Sequence, residues 1–134
     1  MDRVDCRKVT GSDSLKHCYH IMDRSMLTYD GPEGITFGVV VHANPECPSF
    51  EHAMHAVQTA LKASCKVFLY LLDDAVTGVD ESGVRALVQR GVKVSACGFA
   101  VEKRDLACPD DICPAGLTTL SDILFYAEVV SVYN

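Results

Sequence analysis

Sulfur is the most reactive element this chain offers in quantity. Cysteines stand at positions 6, 18, 47, 65, 97, 108 and 113. Cys97 has the most telling surroundings. It sits in the stretch GVKVSACGFAVEKR, residues 91–104, between a short strand-like run and a helix-capable run. A side chain at that junction stands outside the carboxyl end of a strand and at the amino end of a helix, where parallel sheets present ligands. Free backbone N–H groups and the helix dipole favour an anion there, so they favour thiolate over thiol. A thiolate attacks disulfide and persulfide sulfur directly. Gly98, the next residue, lets backbone or substrate come close to the sulfur. Arg104 follows seven positions after Cys97, about two helical turns or ~10 Å of rise on the same face. The alternative is a packed small hydrophobe, since cysteine is among the most buried residue types.

Other groups are less specific. His42, Cys47, His52 and His55 are close in sequence, and His52 and His55 share a helix face. A polar helix face beside a loop is favoured over a mononuclear metal site. Asp73 and Asp74 follow an apolar run and could act as acid/base groups or ligands, but turn chemistry explains them without function. Cys108 and Cys113 have a zinc-like spacing and no partner pair. His17, Cys18 and His20 lie in a polar stretch read as a solvated helix rather than a metal site. Glycine-rich nucleotide loops, the nucleophile elbow and the HExxH zinc helix are all missing from the sequence. The reading therefore assigns no metal and no cofactor.

The elements that must position these groups follow from periodicity. Residues 36–42, TFGVVVH, and 66–72, KVFLYLL, read as strands buried on both faces. Residues 92–96 form a third strand, 112–113 a very short one and 129–133 the last. Phe50, Ala53, Met54, Val57, Ala60 and Leu61 keep helical spacing behind Pro48 and a Ser49 cap. A second helix starts at Asp80, runs through Val84, Leu87 and Val88, and stops at Gly91. Residues 99–104 and 117–127 complete the helices. The connections are short, which implies right-handed crossovers and a three-layer α/β/α sandwich with a mainly parallel sheet of about five strands. Its carboxyl rim then carries His42, Cys47, Asp73, Asp74, Cys97 and Cys113. Residues 1–35 read as an extension, packed on the domain or partly disordered, with a short helix over 14–26 bearing Leu15, Cys18, Tyr19 and Met22 on one side.

The totals agree with one ordinary domain. The chain has 134 residues, 49% of them hydrophobic and 22% charged, enough to bury a real core without disulfides. A net charge of −6 argues against direct binding to nucleic acid, which needs a basic face. No apolar run approaches the ~20 residues that span a bilayer, and the start lacks a signal-peptide core. A cytoplasmic location is expected.

Four stretches, taken in order, resemble the DsrE/DsrF-like family of sulfur-relay proteins, which includes the TusD-type subunits. They are GVVVHANPECPSFEHAMHAVQTAL, VFLYLLDDAVTGV, GVKVSACGFAVEKR and AGLTTLSDILFYAEVVSVY. The resemblance covers residues 36–134. It implies a sulfur carrier or sulfurtransferase holding sulfane sulfur as a persulfide on Cys97, with Arg104 as the trailing arginine. Cys47 or Cys113 would serve as a relay thiol, and Gly98, Asp74 and His42 would line the site. It also implies protein donors and acceptors of sulfur, a homotrimer or homohexamer, and strand order 4-3-2-1-5 rather than 2-1-3-4-5. The chain departs from many relatives in having Asp105 after the arginine, where they carry glycine. Ala100 stands where some carry a second cysteine. The rival expectation is a non-catalytic small-ligand-binding or assembly module of the same fold.

Overall fold

A computed structural model describes residues 35–134. The readings made for the first 34 residues, including the helix over 14–26 and the group His17, Cys18 and His20, lie outside the described residues.

The chain runs β1 (Thr36–Val41), α1 (Pro48–Lys62), β2 (Lys66–Leu71), a 3-10 turn (Asp73–Gly78), α2 (Ser82–Gln89), β3 (Lys93–Cys97), α3 (Gly98–Lys103), β4 (Cys113–Ala115), α4 (Leu117–Tyr126) and β5 (Val129–Tyr133). The sheet order is β4-β3-β2-β1-β5. Every pairing is parallel. The architecture is the α/β/α sandwich expected, in the 4-3-2-1-5 order.

The two central strands explain the arrangement. Val39, Val41, Leu69, Tyr70 and Leu71 are fully buried, as β-branched and aromatic runs are when both faces of a parallel sheet are covered. Three successive crossovers step from β1 to β4, and the fourth returns across the sheet to β5. With right-handed connections this puts α1, α2 and α3 on one face and α4 on the other. Buried Phe50, Ala53, Met54, Val57 and Ala60 form the inner stripe of α1. On the opposite face Ile123 of α4 presses on Gly38, where a Cβ would come within 2.8 Å of its Cγ2.

Three helices end alike. In α2, Gly91 at φ +93° lets its N–H bond Val88 O at 3.0 Å, while Val92 N–H bonds Leu87 O at 3.1 Å. In α1, Ser64 at φ +61° does the same, with Cys65 N–H on Ala60 O at 3.0 Å. In α3 the residue is Asp105 at φ +51°, with Leu106 N–H on Val101 O at 3.1 Å. This is the left-handed closure that glycine normally provides.

Several boundaries move by one or two residues, each for a local reason. Cys47, not Ser49, caps α1, because Pro48 takes the first helical position, where its missing N–H is harmless. Glu81, not Asp80, caps α2, since Glu81 N–H is still bound to Gly78 O by the preceding turn. β3 starts at Lys93 because Val92 N–H is used by the helix end. Ile112 stays outside β4, its N–H turned onto Pro109 O at 3.0 Å.

Candidate functional site at the carboxyl rim of the sheet

The carboxyl ends of the strands lie in one row. From the β4 edge inward they lead to Gly116 and Leu117, then Cys97, then Asp73 and Asp74, then His42 and the loop to Cys47. Cys97 is the last residue of β3 and pairs in register with Ala115 of β4. Its φ of −58° and ψ of 114° make it the cap of α3. Gly98 opens that helix and is buried.

Cys97 is only 7% exposed. The six-residue helix behind it gives its side chain no capping hydrogen bond among the described residues. The sulfur therefore lies at the strand–helix junction, but beneath the surface rather than on it. An attacking sulfur must approach along the S–S axis, so exchange at this position requires the rim to open.

Arg104 is engaged on three sides. Its Nη2 donates to Asp73 Oδ1 at 3.0 Å and Asp74 Oδ1 at 2.7 Å, and its Nη1 to Ala100 O at 3.3 Å. The bond to Asp74 is the chief cause holding the guanidinium above its ordinary pKa, and the bond to Asp73 adds to it. Two carboxylates outnumber one guanidinium, so this corner is acidic. What the trio does is mechanical: it ties the end of α3 to the segment that follows β2. Asp73 itself sits at φ +52°, a left-handed conformation that aspartate tolerates better than most residues.

The remaining candidates separate. Cys47 follows β1, two strands from β3, and adjacent strands lie ~4.8 Å apart, which makes ~10 Å across the sheet. The acidic pair after β2 lies between them. His42 N–H bonds Tyr133 O at 2.8 Å, tying the end of β1 to β5. Cys113 is not on the rim. It opens β4 in register with Ser95, two residues short of the level of Cys97. One strand across and two residues back is about 8 Å between Cα atoms, by the sheet spacings. That exceeds the ~6.8 Å a disulfide allows.

Sequence reasoning missed three features here. Tyr70 is fully buried, and its hydroxyl is directed at the carbonyls of Ala115 at 3.2 Å and Gly116 at 3.0 Å, which holds the β4 rim beside Cys97. Nothing distinguishes it from the other apolar residues of its strand until the sheet order is known. Phe99 and Leu117 are exposed large apolar side chains. Each follows by two residues one of the register partners Cys97 and Ala115, so both belong to the carboxyl rim at that edge of the sheet. Arg85 grips both oxygens of Asp111, with Nη2 to Oδ2 at 2.8 Å, which fastens α2 to the loop before β4. Among the described residues no group of three or more His, Cys, Asp or Glu is placed to hold a metal ion.

No model of a known protein family matches the chain, and no curated protein matches it. Among solved structures it is similar to the ychN protein from E. coli, with a TM-score of 0.64 and 19% identity. The match covers 75% of this chain and 99% of that one. Similarity at that level of identity is a statement about architecture: the described domain shares the fold of that protein.

Proposed function

We propose that the chain is a sulfur carrier or sulfurtransferase that relays sulfane sulfur as a persulfide on Cys97. The observation that carries this is the position of Cys97: the last residue of the third strand of a DsrE-like sheet, at the strand–helix junction. In the first step the Cys97 thiolate attacks the outer sulfur of a donor persulfide. A new S–S bond forms, the donor S–S bond breaks, and the donor leaves as a thiolate. In the second step an acceptor thiolate attacks the outer sulfur on Cys97 and releases Cys97 as thiolate. The electrons balance within the exchange, and no cofactor enters it. Cys47, which follows β1 on the same rim, is the candidate onward thiol within the chain. Partners are protein donors and acceptors in the cytoplasm, and the chain works as a homotrimer or homohexamer. Phe99 and Leu117 are the apolar side chains that such a contact would cover.

A second reading has its own support. Cys97 is buried and takes no capping bond among the described residues, as a packed cysteine in a binding or assembly module would be. Intact mass after incubation with a persulfide donor separates the two. The carrier gains one sulfur on the parent protein and none on Cys97→Ser. Because the site is buried, serine leaves a poorly paired hydroxyl and lowers stability by roughly 1–3 kcal/mol. Cys97→Ala therefore accompanies it, both assayed well below their melting temperatures. Loading of both variants at the parental level would overturn the assignment and make Cys47 the first thiol to test.

A further inference from the structure

The direction of the Cys97 side chain follows from the register of the sheet. Residues paired across a parallel sheet turn their side chains to the same face, and so do residues two apart in one strand. Gly38 pairs with Phe68, Val40 with Tyr70 and Tyr70 with Ser95, and Cys97 lies two residues beyond Ser95. α4 identifies the face, because its Ile123 is what a Cβ on Gly38 would meet. Tyr70 agrees, since its hydroxyl reaches the carbonyls of Ala115 and Gly116 at the head of α4. The Cys97 thiol therefore enters the layer between the sheet and α4, although α3 begins at the very next residue.

That layer holds an unpaired polar group. Gly116 caps α4 and gives it no side-chain hydrogen bond. Thr119, in the first turn, is buried together with Ile123 one turn later, so both face the sheet. Thr119 is 1% exposed, and its Oγ1 has no hydrogen-bond partner among the described residues. Ala115, the register partner of Cys97 at ~4.8 Å across the sheet, stands four residues ahead of Thr119. A buried hydroxyl without a partner is costly, but at the positive end of a ten-residue helix it suits an anion. The outer sulfur of a persulfide is such an anion, one S–S bond or ~2 Å beyond the thiol sulfur. We infer that the Thr119 hydroxyl, at the head of α4, holds the outer sulfur of the Cys97 persulfide. The inference rests on the carrier reading and names the donor that reading lacks. The free thiol leaves the hydroxyl without an acceptor, and loading supplies one.

Glutathione persulfide is the probe. The Cys97 thiolate takes its outer sulfur, one S–S bond forms as another breaks, and glutathione leaves as the thiolate. The partition of sulfur between Cys97 and glutathione is read by intact mass, with the adduct mapped to the peptide that bears Cys97. The full chain is compared with Thr119→Val and Thr119→Ser. Valine removes a hydrogen bond to a charged acceptor, so its partition should fall at least ~tenfold, while serine keeps the hydroxyl and stays near the parent. Melting temperature is the control: valine relieves an unpaired hydroxyl and should not lower it, so weaker holding of sulfur cannot come from instability. A parental partition in Thr119→Val would overturn the inference and leave the carrier reading standing. An equal fall in both variants would do the same, because the hydroxyl would then not be what matters. A parent that gains no sulfur on Cys97 would overturn the carrier reading and the inference with it.

Discussion

The thiol of Cys108 shows what surroundings do to a cysteine. Cys108 lies against Asp80 and Asp111, and its Sγ is directed at Ile112 O at 3.3 Å. Burial first, then those two negative charges, push its thiol up to about 11 from an ordinary 9.0, with Arg85 opposing them. The folded state thus prefers the neutral thiol. Its contribution to stability is fully present below pH 9.0 and is lost as pH rises toward about 11. Alkylation mapped by peptide mass should leave Cys108 unmodified at pH 8, with its rate rising only as pH approaches that value. Labelling of Cys108 as fast as Cys47 at pH 8 would contradict the assignment. Thr119 is the other residue with a measurable consequence. Its Oγ1 is buried with no hydrogen-bond partner among the described residues. Thr119→Val removes that hydroxyl at nearly constant volume, and should raise stability by ~1 kcal/mol in denaturant titration.

At the scale of elements, the helix ends carry the clearest lesson. Gly91 was legible as a stop because glycine is the residue that takes a positive φ without strain. Ser64 and Asp105 close their helices with the same bonds, and neither residue type announces it. At Asp105 the departure from glycine is a departure from the residue the backbone prefers. Asp105→Gly should therefore stabilise the fold by about 0.5–1 kcal/mol, read as a higher melting temperature. An unchanged or lowered Tm would mean that the aspartate side chain contributes something the backbone geometry does not show. The tie from Arg104 to Asp73 and Asp74 belongs to this scale too. Its carboxylates are exposed, so solvent screens it and its effect on global stability is small. Its effect on α3 is local, since that helix has six residues and little else to hold its end. Arg104→Ala should speed alkylation of Cys97 several-fold at unchanged Tm. An unchanged rate would show that α3 does not control access to the thiol.

For the whole molecule, the exposed apolar side chains bear on assembly. The described domain exposes Phe99, Leu117, Leu124, Phe125 and Val132, more large apolar side chains than scattered surface hydrophobes explain. Light scattering should give a mass of three or six times 14.6 kDa at micromolar concentration. A monomer at that concentration would remove self-association from the proposed function. Among the described residues no helix is long and apolar enough to cross a membrane.

The β-branched runs, the helical stripe of α1 and the short connections were enough to determine a parallel α/β/α sheet and to put Cys97 at a strand end. These are one-dimensional signals: period, run length and chain reach are properties of neighbours in sequence. Which strands lie side by side was beyond them, because crossovers of equal length suit both the 4-3-2-1-5 and the 2-1-3-4-5 orders. That order decided that Asp73 and Asp74 stand between Cys97 and Cys47, and that Tyr70 reaches across to Ala115 and Gly116. The ion pairs of Arg104 were hidden for the same reason. Its distance to Cys97 is local and could be counted along a helix, whereas its partners lie about thirty residues back in the chain. The depth of the thiol was equally out of reach, because burial is set by everything that packs around a residue, and only the folded chain brings those neighbours together.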